Sequence, residues 1–331
     1  MRDCLSAMLK DPDAMGVVVH DRAPLGAIYP DYVDYMRAAH KASGKPVFLV
    51  ANRQGTGTDP MVVATTRDGF PVLDGLRSFL SASRCLLDYR DFCNRVPMDQ
   101  GPVDATALRQ ARIRLSNGEA LSEMDASSLL GSFGLPVNPA EVRNSETGIV
   151  EVARKMGYPV VLKTAERGIQ HKSEQRGVCL DILNEEMLVQ AYRDLSEGLG
   201  PNVMVAPCVD RSGIEMVLGM VRDEQFGPLV MLGFGGINVE ILNDVVFAIP
   251  PFDSTIANHM LNRLKHRSLL GRQRDGSTPA IGAFCQTAAD FSAVVAALDE
   301  HIEEIDMNPV IVHADGCIAI DALLVGSSAA C

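Results

Sequence analysis

The sequence predicts an α/β protein in two parts, a parallel sheet followed by a larger two-lobed domain. Three observations carry this reading. Residues 1–92 alternate short branched apolar runs with helical stretches, a βαβα rhythm that implies a parallel, doubly wound sheet. Residues 119–205 set amphipathic helices between short strands. Residues 206–331 run mostly as strands with two helical stretches, the pattern of antiparallel strands with helices on one side. No period of 20–50 residues repeats.

In the first part, residues 2–10 read as a helix and Met15-Gly16-Val17-Val18-Val19 as a fully buried strand. Asp31 to Ala42 is a helix closed by Ser43-Gly44-Lys45-Pro46, and residues 46–50 are the next strand. Asp59-Pro60 starts a helix, with a carboxylate at the N-cap, Pro at the first helical position and Gly69 at its end. Pro71-Val72-Leu73 is a short strand, followed by a helix over 74–90. Residues 93–118 hold Pro97, Gly101, Pro102 and many charges without clear period; they read as a linker plus a short helix, with a domain boundary near 95–118.

In the second part, Ser122 caps a helix whose apolar face is Ala126, Leu129, Leu130 and Phe133. The next helix starts at Ser145, buries Ile149, Val152, Ala153 and Met156, and stops at Gly157. Strands at 160–162 and 178–182 flank a polar loop, a helix over 185–197 shows Leu188, Ala191, Tyr192 and Leu195, and 203–205 is a strand. Further strands fall at 214–220, 228–233, 244–249, 308–313 and 317–324, with helices at 253–265 and 287–301.

Composition bounds the function. A net charge of −12 argues against nonspecific nucleic-acid binding, where a basic footprint is expected. No apolar run approaches the roughly 20 residues of a membrane helix, and the opening Met1-Arg2-Asp3-Cys4 does not look like a signal peptide. The eight cysteines form no Cys-x-x-Cys pair and sit mostly in apolar runs, so they read as reduced, buried cysteines of a cytoplasmic protein.

Two constellations carry chemistry. Lys163 ends an apolar strand, and the loop after it holds His171, Lys172, Arg176 and Gly177. A strand-end ammonium followed by a basic loop suits an anionic phosphate, and an imidazole can act as a nucleophile that forms a covalent intermediate. In the last hairpin, Asp306 and Asn308 share one strand face, and Asp321 follows thirteen residues after Asn308 on the partner strand. Carboxylate and amide oxygens suit Mg²⁺, which needs few protein ligands when phosphates supply the rest. Polar hairpin residues are the plainer alternative. Glu215 lies in an apolar strand and needs a partner there. Gly233-Phe234-Gly235-Gly236 leaves a strand as a turn whose backbone can approach a phosphate, although a structural turn explains it equally. The Gly-x-Gly-x-x-Gly dinucleotide fingerprint is absent.

The segment Gly-Tyr-Pro-Val-Val-Leu-Lys, with His-Lys-Ser eight positions after the lysine, resembles the NDP-forming acyl-CoA synthetases, relatives of the succinyl-CoA synthetase beta chain. So do Leu121-Ser122-Glu123 through Gly134-Leu135-Pro136-Val137, the glycine turn ending in Val239-Glu240, and the Asn308/Asp321 hairpin. The resemblance is strong over 119–328 and looser over about 90 residues before it. It implies a partial flavodoxin-like parallel sheet (1–95, opening late), a linker (96–118), and a two-lobed ATP-grasp domain with lobes 119–205 and 206–331. It further implies ATP, Mg²⁺ and CoA, with His171 carrying a phosphoryl group, and Asn308 and Asp321 holding the metal beside Asp306. Lys163, Lys172, Val205, Cys208, Glu215, Gly235, Gly236 and Glu240 would contact the nucleotide, and Arg274 matches an arginine of a mobile segment. The reaction implied is carboxylate + CoA + ATP giving acyl-CoA, ADP and phosphate, shared with a CoA-binding subunit or domain; the chain reads as a subunit or fragment of that arrangement. Two departures stand out: Ala206-Pro207-Cys208 replaces the usual Gln-Glu hinge, whose carboxylate contacts nucleotide, and Glu174-Gln175-Arg176-Gly177 replaces Asp-x-Gly-Gly. The alternatives are an ATP-grasp ligase joining a carboxylate to an amine, and a non-catalytic nucleotide-binding relative.

Overall fold

The computed structural model describes residues 2–12, 14–20, 30–51, 60–94, 103–166, 169, 177–235, 244–271 and 278–327. The chain divides into two compact units, Met1–Pro97 and Met98–Cys331.

In the first unit, α1 (Arg2–Met8), β1 (Gly16–His20), α2 (Pro30–Ser43), β2 (Val47–Ala51), α3 (Pro60–Arg67), β3 (Val72–Asp74) and α4 (Gly75–Cys93) alternate as the sequence predicts. The described strands pair in parallel in the order β1-β2-β3. β2 is buried at every position, as expected of a central strand covered on both faces. Leu5, Val33, Met36, Leu49 and Val62 form one core of this unit, and Phe48, Val50 and Phe79 a second, on opposite faces of β2.

The second unit holds two sheets. α5 (Ala105–Leu115), α6 (Glu123–Ser132), β4 (Glu141–Arg143), α7 (Glu146–Met156), β5 (Val160–Thr164), β6 (Val178–Ile182), α8 (Glu185–Leu199) and β7 (Val203–Pro207) come first. β8 (Ile214–Asp223), β9 (Gly227–Phe234), β10 (Val245–Ala248), α9 (Ser254–Leu261), α10 (Ile281–Leu298), β11 (Ile302–Val312), β12 (Cys317–Ala319) and β13 (Ala322–Gly326) follow. The smaller sheet is antiparallel in the order β4-β7-β5-β6, and α7 and α8 cover one face of it through Ile149, Val152, Leu188, Tyr192 and Leu195. Both helices start on a side-chain cap, Ser145 and Asn184, and stop at glycines of positive φ, Gly157 and Gly200. The larger sheet runs β10-β9-β8-β11-β12, with β13 also on β11. Its inner face, Met216, Leu218, Met220, Ile305 and Met307, packs on α9 and α10.

Several expectations change. The short helix expected within 93–118 is α5 (Ala105–Leu115), and it is a core element rather than a linker appendage: Ala107, Ala111 and Leu115 recur every four residues and are buried, and Ala111 and Leu115 join the core of the larger sheet. Small residues made that stripe hard to recognise. The helix after Ser122 also belongs to that core, through Ala126, Leu129 and Leu130, so the first lobe's own core begins only at α7. β4 was not foreseen, and β11 starts six residues before the expected 308. Ile281–His301 is long and apolar enough to cross a membrane by composition, against the expectation that no run was; it is the covering helix of the larger sheet, with Phe284, Phe291, Val295 and Leu298 in the core. Of the seven described cysteines only Cys285 is buried, while Cys4, Cys85 and Cys93 are exposed, because helix positions 4, 85 and 93 face outward.

Candidate functional site

A cleft of about 950 Å³ opens between the two sheets of the second unit. The smaller sheet presents Val161, Lys163, Met204 and Ala206 to it, β6 adds Val178, Leu180 and Asp181, and Glu123, Asp321 and Leu323 line the other side. The alternation of β5 and β7 decides this. Leu162, Val203 and Val205 point into the first-lobe core, so their sequence neighbours must face the cleft. That same alternation corrects the reading of Val205: its side chain is fully buried, its strand is paired on both edges by β4 and β5, and Met204 and Ala206 take the cleft positions.

Lys163 is 8% exposed. Its Nζ donates to Glu123 Oε1 at 2.6 Å and lies 3.7 Å from Asp321 Oδ2. A buried ammonium needs such partners, and here they come from α6 and from the break between β12 and β13. Glu123 is the partner that sequence reading missed. It stands 40 residues from Lys163 and reads locally as an acidic first-turn residue of a capped helix, which explains it without a ligand.

The structure brings Asp306, Asn308 and Asp321 together. Asp306 and Asn308 share the β11 face opposite the core residues Ile305 and Met307, and a hydrogen bond joins their side chains. Burial, then the charges of Glu304 and Asp321, pushes the Asp306 carboxyl up to about 6. Gly219 lies opposite Asp306 in the register; a Cβ there would stand 3.4 Å from Asp306 Oδ1, so the glycine leaves room for the carboxylate. Among the described residues, no three His, Cys, Asp or Glu side chains form a ready metal cage. Two crowded carboxylates and an amide nonetheless fit a hard cation that keeps most of its ligands as water and phosphate.

The hinge end differs. Pro207 pairs with Val160 in the ladder, its carbonyl accepts Asn138 Nδ2 at 3.0 Å, and Cys208 N–H donates to the Pro159 carbonyl at 3.0 Å. Cys208 lines the cleft, donates from Sγ to Asp181 Oδ1 at 3.4 Å, and has its thiol pushed up by burial. Asp181 is at φ 53, a left-handed conformation that non-glycine residues rarely adopt. It too escaped sequence reading, as the charged residue inside an apolar strand.

Glu215 and Gly235 do not appear in the walls of this cleft. Gly235 is explained by backbone packing: its N–H donates to the Glu215 carbonyl at 2.8 Å, and a Cβ would come 2.4 Å from the Met216 carbonyl oxygen. Glu215 sits opposite Ile311 in the register, on the sheet face away from the Met216 core. His171, Lys172, Arg176, Gly236, Glu240 and Arg274 lie outside the described residues.

Known proteins match this arrangement. The ATP-grasp domain family matches residues 112–325. The beta subunit of an ADP-forming acetate–CoA ligase I from Pyrococcus furiosus is 34% identical over 215 residues, 62% of this chain and 91% of that subunit. A trans-feruloyl-CoA synthase from an unknown prokaryotic organism is 28% identical over 293 residues, 82% of this chain and 40% of that protein. Among solved structures, acetyl-coenzyme A synthetase 1 of Ca. Korarchaeum cryptofilum, in complex with coenzyme A and Mg-AMPPCP and with its phosphohistidine segment pointing towards the nucleotide binding site, superposes with a TM-score of 0.59 at 31% identity, covering 66% of this chain and 99% of that one. With a cleft between two α/β lobes, a strand-end lysine inside it and these relatives, the chain belongs to the ATP-grasp family, in the branch of the ADP-forming acid–CoA ligases.

Proposed function

We propose that this chain is the ATP-binding, phosphoryl-transferring part of an ADP-forming acid–CoA ligase. The observation that carries the reading is Lys163: an ammonium held in the cleft between the lobes, facing a carboxylate–amide cluster on the opposite hairpin. The ammonium neutralises nucleotide phosphates, and Asp306, Asn308 and Asp321 would hold Mg²⁺. When bound, the ion supplies charge neutralisation at the transferring phosphate. Catalysis is then mainly positioning and electrostatics. A ring nitrogen of His171 attacks the γ-phosphorus, the bond from that phosphorus to the bridging oxygen breaks, and the electron pair leaves with ADP. The phosphohistidine passes its phosphoryl group to a CoA-binding subunit or domain, where the acid is activated. A phosphohistidine segment named in the Korarchaeum protein and the beta-subunit status of the Pyrococcus relative support both steps. The looser match of the trans-feruloyl-CoA synthase, which reaches beyond the ATP-grasp region, supports residues 1–95 as the flavodoxin-like part of the same ligase, ahead of two ATP-grasp lobes, with α5 and α6 packed into the lobe formed by 206–331.

Incubation with [γ-³²P]ATP and Mg²⁺ tests the reading. The expected result is an acid-labile protein label that is lost in His171→Ala. A label that survives this substitution overturns the role of His171. ATP consumption driven by an amine co-substrate, with no protein label, would instead identify a carboxylate–amine ligase.

A further inference from the structure

We infer that Glu123 is a positioning residue for Lys163, so that the nucleotide phosphates meet an oriented Glu–Lys pair. This deepens the ATP reading of the cleft and rests on it. Lys163 reaches the cleft from β5, the strand between β6 and β7 in the smaller sheet. Glu123 opens α6, a helix capped by Ser122 and anchored in the core of the larger sheet by Ala126, Leu129 and Leu130. The 2.6 Å contact therefore crosses from one lobe to the other.

Both side chains are only 10% exposed, so water does little to screen the pair. An ammonium has three N–H donors in fixed tetrahedral directions. Committing one of them to Glu123 sets where the other two point. A lysine stem by itself does not, because its four carbons rotate freely. The other carboxylate near Nζ among the described residues is Asp321, 3.7 Å away and 47% exposed. Without the Glu123 charge, Asp321 is left to draw the ammonium toward the hairpin, onto a group that the metal also needs. Glu123 thus holds Lys163 on its own side of the cleft, where the ammonium faces the phosphates.

The test is a double-mutant cycle on the full chain, read by titration calorimetry with Mg-ATP and with adenosine, which lacks phosphates. Lys163→Met is expected to weaken ATP about 100-fold and Glu123→Gln about tenfold, with the double variant no weaker than Lys163→Met. Adenosine affinity is expected to be equal in all four proteins. If Glu123→Gln weakens adenosine as much as ATP, or if the two losses multiply in the double variant, Glu123 acts by shaping the helix and the inference is overturned. If Lys163→Met alone weakens ATP, the inference falls while the ATP reading stands. If neither substitution affects ATP, both fall. Glu123→Asp keeps the charge on a shorter stem, and its expected loss of about threefold gives a second cycle should the glutamine variant fail to fold.

Discussion

The two ends of the cleft are built in opposite ways. At the charged end, Lys163, Glu123 and Asp321 come from a strand, a helix start and a hairpin break that lie far apart in the chain, and polar atoms meet there across the lobes. At the hinge end, Pro207 and Cys208 are tied into the strand ladder, and their carbonyl and N–H are already used by Asn138 and Pro159. The charged end thus holds groups whose partners a ligand replaces or shares. The hinge end holds groups whose hydrogen bonds are satisfied, beside one strained carboxylate. Binding energy for a nucleotide should then come mainly from the phosphate side, with the base side contributing shape and apolar contact.

Four experiments break or sharpen this contrast. The largest effect is expected for Lys163→Met: loss of one member of a buried charge pair is worth about 2–3 kcal/mol, which is about 100-fold in the Kd for ATP, and calorimetry reads it directly. Next, Asp321→Asn should weaken Mg-ATP on the order of tenfold, because the cation keeps its water and phosphate ligands. Metal-free nucleotide should be nearly unaffected, and a thermal-shift titration of Mg²⁺ at fixed ATP separates the two. Third, Asp181→Val should lower stability by about 1–2 kcal/mol, since a branched side chain does not fit φ 53, whereas Asp181→Gly should leave the melting midpoint nearly unchanged. Both substitutions should alter ATP affinity less than about threefold if the contrast holds. The smallest effect is expected for Cys208→Ala, below about twofold in ATP affinity. A tenfold loss in that variant would show that the hinge, not the phosphate end, dominates binding.

Glycines make the same point about local and distant causes. Gly157 is legible in sequence as a helix stop, and it adopts the positive φ that such a stop uses. Gly235 reads equally as phosphate loop or turn. What requires glycine there, a carbonyl of Met216 at 2.4 Å from any Cβ, lies on a neighbouring strand. Val205, which the resemblance sets at the nucleotide, has its side chain turned into the core by strand alternation.

Sequence by itself determined the alternation of strands and helices, the caps at Ser122 and Ser145, the amphipathic faces of α7 and α8, and the position of Lys163 at a strand end. These are short-range: period, capping chemistry and motif spacing are written in neighbouring residues. Only the tertiary structure decided that α5 and α6 complete the core of the larger sheet, that Glu123 meets Lys163, and that Asp181 closes on Cys208. Those outcomes depend on how two sheets and their helices bury apolar area against one another, a balance summed over residues 40 or more apart for the ion pair, and no local pattern encodes it.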